Sequence, residues 1–230
     1  MYLTYETPAT MILLIIGIVI TLGAQILVTQ AYNKYKRIGN NKGITGFEAA
    51  RKILDKNGLD NIHVVEVKSI LGDHYDPVRK AIRLSTEVFH GDSIASVSIA
   101  AHEASHAVQH QQGYLFMRVR STIMPLVSFG SKLGYVAIII GFILSLYDLV
   151  TLGIWLLMSI IIFELVTLPV EYNASAKAKV ELIDTGVLTA DEVIKANNML
   201  GAAALTYVAA VATSLLQIMR LILIYGRRRD

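Results

Sequence analysis

The chain has 230 residues, 54% of them apolar, and a mean hydropathy of +0.52. That is too apolar for an ordinary soluble domain and points to membrane spans. Without cysteine there is no disulfide framework, thiolate metal site or cysteine nucleophile. The net charge of +3 is mild, and the basic residues lie beside apolar runs, which suits a membrane surface and not nucleic acid.

Residues 9–28 carry no charge and are long enough to cross a bilayer core of roughly 30 Å. A secretory signal would need a basic start and a small-residue cleavage site. Here "MYLTYETP" precedes the run and "QAYNKYKR" follows it, so it reads as an uncleaved anchor. Lys34, Lys36 and Arg37 then mark the cytoplasmic side. Thr45 with Glu48 reads as a capping box opening a helix that Gly58 closes. "IHVVEV" and "AIRLS" read as short strands joined by "LGDHYDP". Asp92 or Ser93 caps a helix that runs to about Gln111, with Gly113 as its stop.

Residues 121–147 and 149–167 are apolar runs separated by Asp148, a hairpin across the membrane. Arg118 and Arg120 before it, with Lys177 and Lys179 after it, place both open ends in the cytoplasm, and Lys132 can snorkel there. Pro169 is expected to break or kink the second helix, with Glu171 opening the next turn. Thr189 with Glu192 opens a helix that can continue into the uncharged residues 200–219. That run is read as crossing, although this carries Arg227, Arg228 and Arg229 outward, against the positive-inside bias.

"AAHEASHAVQHQQGY" holds three of the six histidines, four apart. On a helix, His102 and His106 share a face about 6 Å apart along the axis, so both imidazoles reach one zinc. Glu103 lies one position round, near the metal but not on it, where it can take a proton from bound water. Ile94, Val97, Ala101, Ala104 and Val108 give this helix a packing face, and two short strands precede it.

A catalytic zinc takes three protein ligands and leaves one position open. The metzincin pattern would need Gly at position 109 and His at position 112, where the chain has Gln109 and Gln112. His110 is one further turn along, and a straight helix does not wrap three turns around one ion, so it reads as a solvated neighbour. The better source is a glutamate from a second helix, in "TLPVEYNASAKAKVE". Glu171 stands there. Glu164, seven residues earlier and inside the apolar run, is a functional candidate by its place alone, or a residue paired near the interface or with Lys132. "LIDTG" around Asp184 only faintly matches the aspartate motif of site-2-type intramembrane proteases, and it lies in a polar stretch.

The stretches "DHYDP", "IRLSTEVFHGDSIASVSIAAHEASHAVQH" and "LPVEYNAS" resemble the YugP-type family of bacterial membrane zinc metallopeptidases, over roughly residues 61–222. More distantly, "HEASH" with "EYNAS" is similar to the HtpX and CAAX-protease type. The resemblance implies His102, His106 and Glu171 as ligands of one zinc per chain, and Glu103 as the catalytic base. Ser175 stands where the HtpX-type motif has Asp, so no carboxylate is expected there to orient a ligand imidazole.

The expected fold is a mainly α integral membrane protein, with a multi-span helical membrane part and a zincin-like α+β catalytic domain. Residues 1–31 form the anchor and 32–120 the cytoplasmic domain with its H-E-x-x-H helix. Residues 121–170 are the membrane hairpin, 171–200 the second half of the zinc site, and 201–230 a last apolar helix. The expected activity is zinc-assisted hydrolysis of peptide bonds, in peptides or membrane proteins, at the cytoplasmic face of the plasma membrane. The oxyanion donor is open among Tyr172, His74, His110 and Tyr207. "IRLSTEV" is a candidate edge strand for an extended substrate, and His74 and Asp76 read equally as turn residues ahead of Pro77. A catalytically silent zinc scaffold and a site-2-type protease are the rival readings.

Overall fold

The computed structural model describes residues 7–68 and 72–229, and for residues 227–229 the backbone alone. The start of "MYLTYETP", Leu71 of "LGDHYDP" and the terminal Asp230 lie outside the described residues. Ten elements follow in order: α1 (Pro8–Tyr35), α2 (Gly46–Lys56), β1 (His63–Val67), β2 (His74–Asp76), β3 (Ala81–Ser85), α3 (Thr86–His90), α4 (Ile94–Gln111), α5 (Leu115–Leu144), α6 (Tyr147–Asp184) and α7 (Ala190–Arg229). The protein is mainly helical with a small mixed sheet. Among the described residues, four helices are long and apolar enough to cross a membrane: Pro8–Tyr35, Leu115–Leu144, Tyr147–Asp184 and Ala190–Gly226.

The chain divides into two compact units. The first comprises residues 1–25, 119–168 and 206–230 and holds most of the apolar helix length. Its hairpin turns at Ser145 and Leu146, just before the Asp148 expected there, and Ser145 takes a left-handed φ of 56°. The two arms meet at glycines. A Cβ on Gly153 would stand 2.7 Å from the Gly134 carbonyl oxygen, so the backbones approach as only small residues allow.

The second unit comprises residues 26–118 and 169–205. Its helix ends follow local chemistry. Thr45 and Glu48 form the reciprocal box, with the Glu48 amide on Thr45 Oγ1 at 3.3 Å and the Thr45 amide on Glu48 Oε2 at 2.8 Å. Gly58 supplies the φ of +66° that ends this turn. Ser93 caps α4 by accepting from the Ser96 amide, and Thr189 with Glu192 caps α7. The α7 helix does continue into the last apolar run.

Three expectations are corrected. The "LGDHYDP" connector contains a strand, β2, and the sheet order is β1-β3-β2. β3 is therefore the central strand, parallel to β1 and antiparallel to β2. Its Ile82 and Leu84 are fully buried, so it offers no free edge for a substrate. The expected packing face of α4 is present, with Ile94, Val97, Ala101, Ala104 and Val108 all buried, and burial extends beyond it. Thirteen of its eighteen residues are buried, because Ala100, Ala101, Ala104, Ser105 and Ala107 are small enough to let neighbours close around it. Pro169 does not break α6, which runs through it. A proline removes one N–H, and a helix with Val170 and Ala174 fully buried just beyond absorbs that loss.

Candidate metal centre

Helix α4 brings its first two histidines together one turn apart, with ring centroids 4.7 Å apart and nearly perpendicular. Helix α6 brings Glu171 to them. Glu171 Oε2 lies 3.1 Å from His102 Nε2 and 3.6 Å from His106 Nε2. Ligand atoms of the three residues all fall within 4.8 Å of one another. Glu171 is 2% exposed and His106 6%, while His102 is half-buried. A tetrahedral ion about 2.1 Å from nitrogen and oxygen ligands separates them by about 3.4 Å. The two distances to Glu171 bracket that value, and two imidazoles with a carboxylate are a zinc donor set. The residues present thus fit the ion.

The outer nitrogens are held as well. His106 Nδ1 lies 2.9 Å from Gln109 Oε1. Gln109 Nε2 in turn donates to the Val170 carbonyl and to Asn173 Oδ1, both at 2.9 Å. With its amide so committed, Gln109 Oε1 can only accept, so Nδ1 of His106 carries the hydrogen and Nε2 is left to bind. Ser175 Oγ lies 3.2 Å from His102 Nδ1. A neutral hydroxyl thus stands where a carboxylate was missed.

Glu103 points to the strand on the other side, and its Oε2 accepts from the Tyr75 amide at 2.9 Å. Burial pushes its carboxyl above the usual range, and the charges of His106 and His102 only partly offset that. For His106, burial alone would lower the pKa. The adjacent Glu171 carboxylate and the charge of Glu103 outweigh it and raise it.

The remaining candidates are not members of the three-residue cluster. His110 is exposed and its Nδ1 meets the Tyr75 hydroxyl at 3.0 Å. His74 is exposed with Nδ1 on the Gly72 carbonyl, and Tyr172 is 49% exposed. Glu164 belongs to the other unit, where its Oε1 accepts from Ser214 and not from Lys132, and Tyr207 belongs there too. Asp184 pairs with Lys56 at 2.8 Å, a structural tie between helix ends. Sequence reasoning missed Tyr75, Gln109 and Asn173. Gln109 had a signal: a glutamine three residues after a candidate ligand histidine shares its face.

A chain with four helices long and apolar enough to cross a membrane, and a His–His–Glu cluster with two of its three residues buried, is the class these features define. Residues 10–226 match the family described as "Putative neutral zinc metallopeptidase", and the chain belongs to that family. It is 42% identical over 207 residues to the "Putative membrane protease YugP" of Bacillus subtilis (strain 168), covering 90% of this chain and 92% of that protein. No solved structure matches it.

Proposed function

We propose that this protein is a zinc-dependent endopeptidase of the zincin type with a His–His–Glu ligand set. It would hydrolyse peptide bonds near the cytoplasmic face of the plasma membrane. The observation that carries this reading is the convergence of His102, His106 and Glu171 within 4.8 Å, with Glu103 next to the first of them on the same helix. His102, His106 and Glu171 would hold one zinc ion, which would supply a water of lowered pKa, about 7, and polarise the scissile carbonyl. Glu171 and the two imidazoles hold, and Gln109 and Ser175 orient. Glu103 takes the proton from the attacking water and returns it to the leaving nitrogen, a task suited to a carboxyl whose burial raises its pKa.

The basic residues flanking the apolar helices support the cytoplasmic side for the site. Peptides and membrane-protein segments close to that face are the expected substrates. The deciding experiment is metal analysis and a peptidase assay on the purified protein and its Glu103→Gln variant. The variant should keep about one zinc per chain and lose at least 10²–10⁴-fold in kcat. A folded variant without zinc would make Glu103 a ligand, a variant that still cleaves peptide would show that Glu103 is not the base, and retained biological function in the inactive variant would favour a scaffold.

A further inference from the structure

Strand β2 is three residues long, and several hydrogen bonds on either side of it hold it in place. Asp73 Oδ1 accepts from the Ser85 amide at 2.7 Å and the Ser85 hydroxyl at 3.0 Å, tying the entry of β2 to the end of β3. His74 Nδ1 closes on the Gly72 carbonyl. Asp76 Oδ1 accepts from the amides of Val78 and Arg79, which fixes the turn after the strand. Tyr75 is paired with Ile82 of β3 by register, but its own N–H points away from the sheet, to Glu103. Its phenol reaches the same helix a second time, at His110, seven residues beyond Glu103. Residues seven apart share a helix face, so one tyrosine clips α4 at two points along that face.

We propose that Tyr75 is the positioning residue for the general base: its main-chain N–H fixes the Glu103 carboxylate, and its phenol, anchored on His110, fixes where that N–H lies. This rests on the peptidase reading above. A carboxylate on a helix has several rotamers, and a charge-assisted bond to a strand amide selects one of them. The donor is backbone, so no side-chain substitution removes it except proline. Proline is sterically acceptable here, because this N–H does not serve the β3 ladder and His74 before it is already extended.

The test compares three variants of the full chain in detergent or nanodiscs. Tyr75→Phe removes the hydroxyl, Tyr75→Ala removes the ring and keeps the N–H, and Tyr75→Pro removes both ring and N–H. Each is measured for zinc content, kcat and KM on a casein-derived peptide, and affinity for acetohydroxamate, a zinc-directed probe whose proton the general base accepts. Loss of a hydrogen bond to a charged group corresponds to about 10- to 100-fold. Tyr75→Pro should therefore fall about that far below Tyr75→Ala in kcat, with zinc at one per chain and KM within about threefold. Tyr75→Phe, which keeps the ring and loses the bond to His110, should fall most of the way to Tyr75→Ala, and a wild-type kcat in Tyr75→Phe would overturn the phenol's part. Acetohydroxamate affinity should drop in the proline variant toward the Glu103→Gln level. Equal kcat in the alanine and proline variants, a change confined to KM, or zinc loss in the proline variant would each overturn the assignment. If the wild-type protein binds zinc and cleaves no peptide, the peptidase reading fails. Hydroxamate affinity then judges Tyr75 alone, and equal affinity in the alanine and proline variants overturns it.

Discussion

Gln109 is the residue whose removal should reveal most about how the centre is held. It is fully buried, and its amide makes three bonds at 2.9 Å: to His106 Nδ1, the Val170 carbonyl and Asn173 Oδ1. Gln109→Met keeps the volume and removes all three. The His106 N–H loses the partner that set its tautomer, and two acceptors on α6 lose a donor within two residues of Glu171. The buried His106 N–H left unpaired costs about 1–3 kcal/mol, and the folded state should lose roughly that much. Partners of a ligand imidazole are worth about 10–100-fold in metal affinity. Gln109→Glu separates the two effects, since it keeps an acceptor for His106 and sets a carboxylate against two oxygens. Zinc dissociation constants from chelator competition, with thermal unfolding with and without zinc, measure both. Gln109→Met should bind zinc about 10–100-fold more weakly. Its zinc-free form should also melt lower than the zinc-free wild type. Zinc affinity within about threefold of wild type would refute the idea that Gln109 orients His106.

Glu171→Ala should lose both zinc and activity, whereas Glu164→Ala and His110→Ala should keep most of the zinc. Metal analysis of the three decides, and a zinc-depleted Glu164 variant beside a zinc-replete Glu171 variant would reverse the choice. Asp76 has a pKa below its ordinary value, chiefly through the Arg79 amide. Its contribution to stability is thus present above the unfolded value near 3.9 and is lost as pH falls through the lowered folded value. Asp76→Asn should therefore lower the melting temperature at pH 7 and change it little at pH 2, and an equal drop at both would refute the turn role. Single cysteines at Asn40, Asp148 and Asn197, probed on intact cells with an impermeant thiol reagent, test the orientation. Labelling is expected at Asp148 alone, and labelling at Asn40 would place the zinc site outside.

What was legible in the sequence was what neighbouring residues decide. Thr45, Ser93 and Thr189 cap helices by bonds to residues three ahead, so their signals are complete within one turn. The pairing of His102 with His106 is equally local, because helical spacing alone puts them on one face. Glu171 is another matter. It meets His102 across 69 residues of chain, and the residues alone left it beside Glu164. Resemblance to a family separated the two, and the structure brings only Glu171 to the histidines. Pro169 and the strand order show local rules giving way to packing. A helix long enough to be buried beyond the proline spares one hydrogen bond, and β2 is too short to show any period. Gln109 carries the point furthest. Along the chain it marks only where the metzincin pattern fails for want of glycine. In space it bonds the helix bearing both histidines to the helix bearing the carboxylate at two points. A glycine there would give His106 no acceptor and take one donor each from the Val170 carbonyl and Asn173. The same position that excludes one ligand geometry therefore helps to hold another, with the third ligand supplied by a second helix.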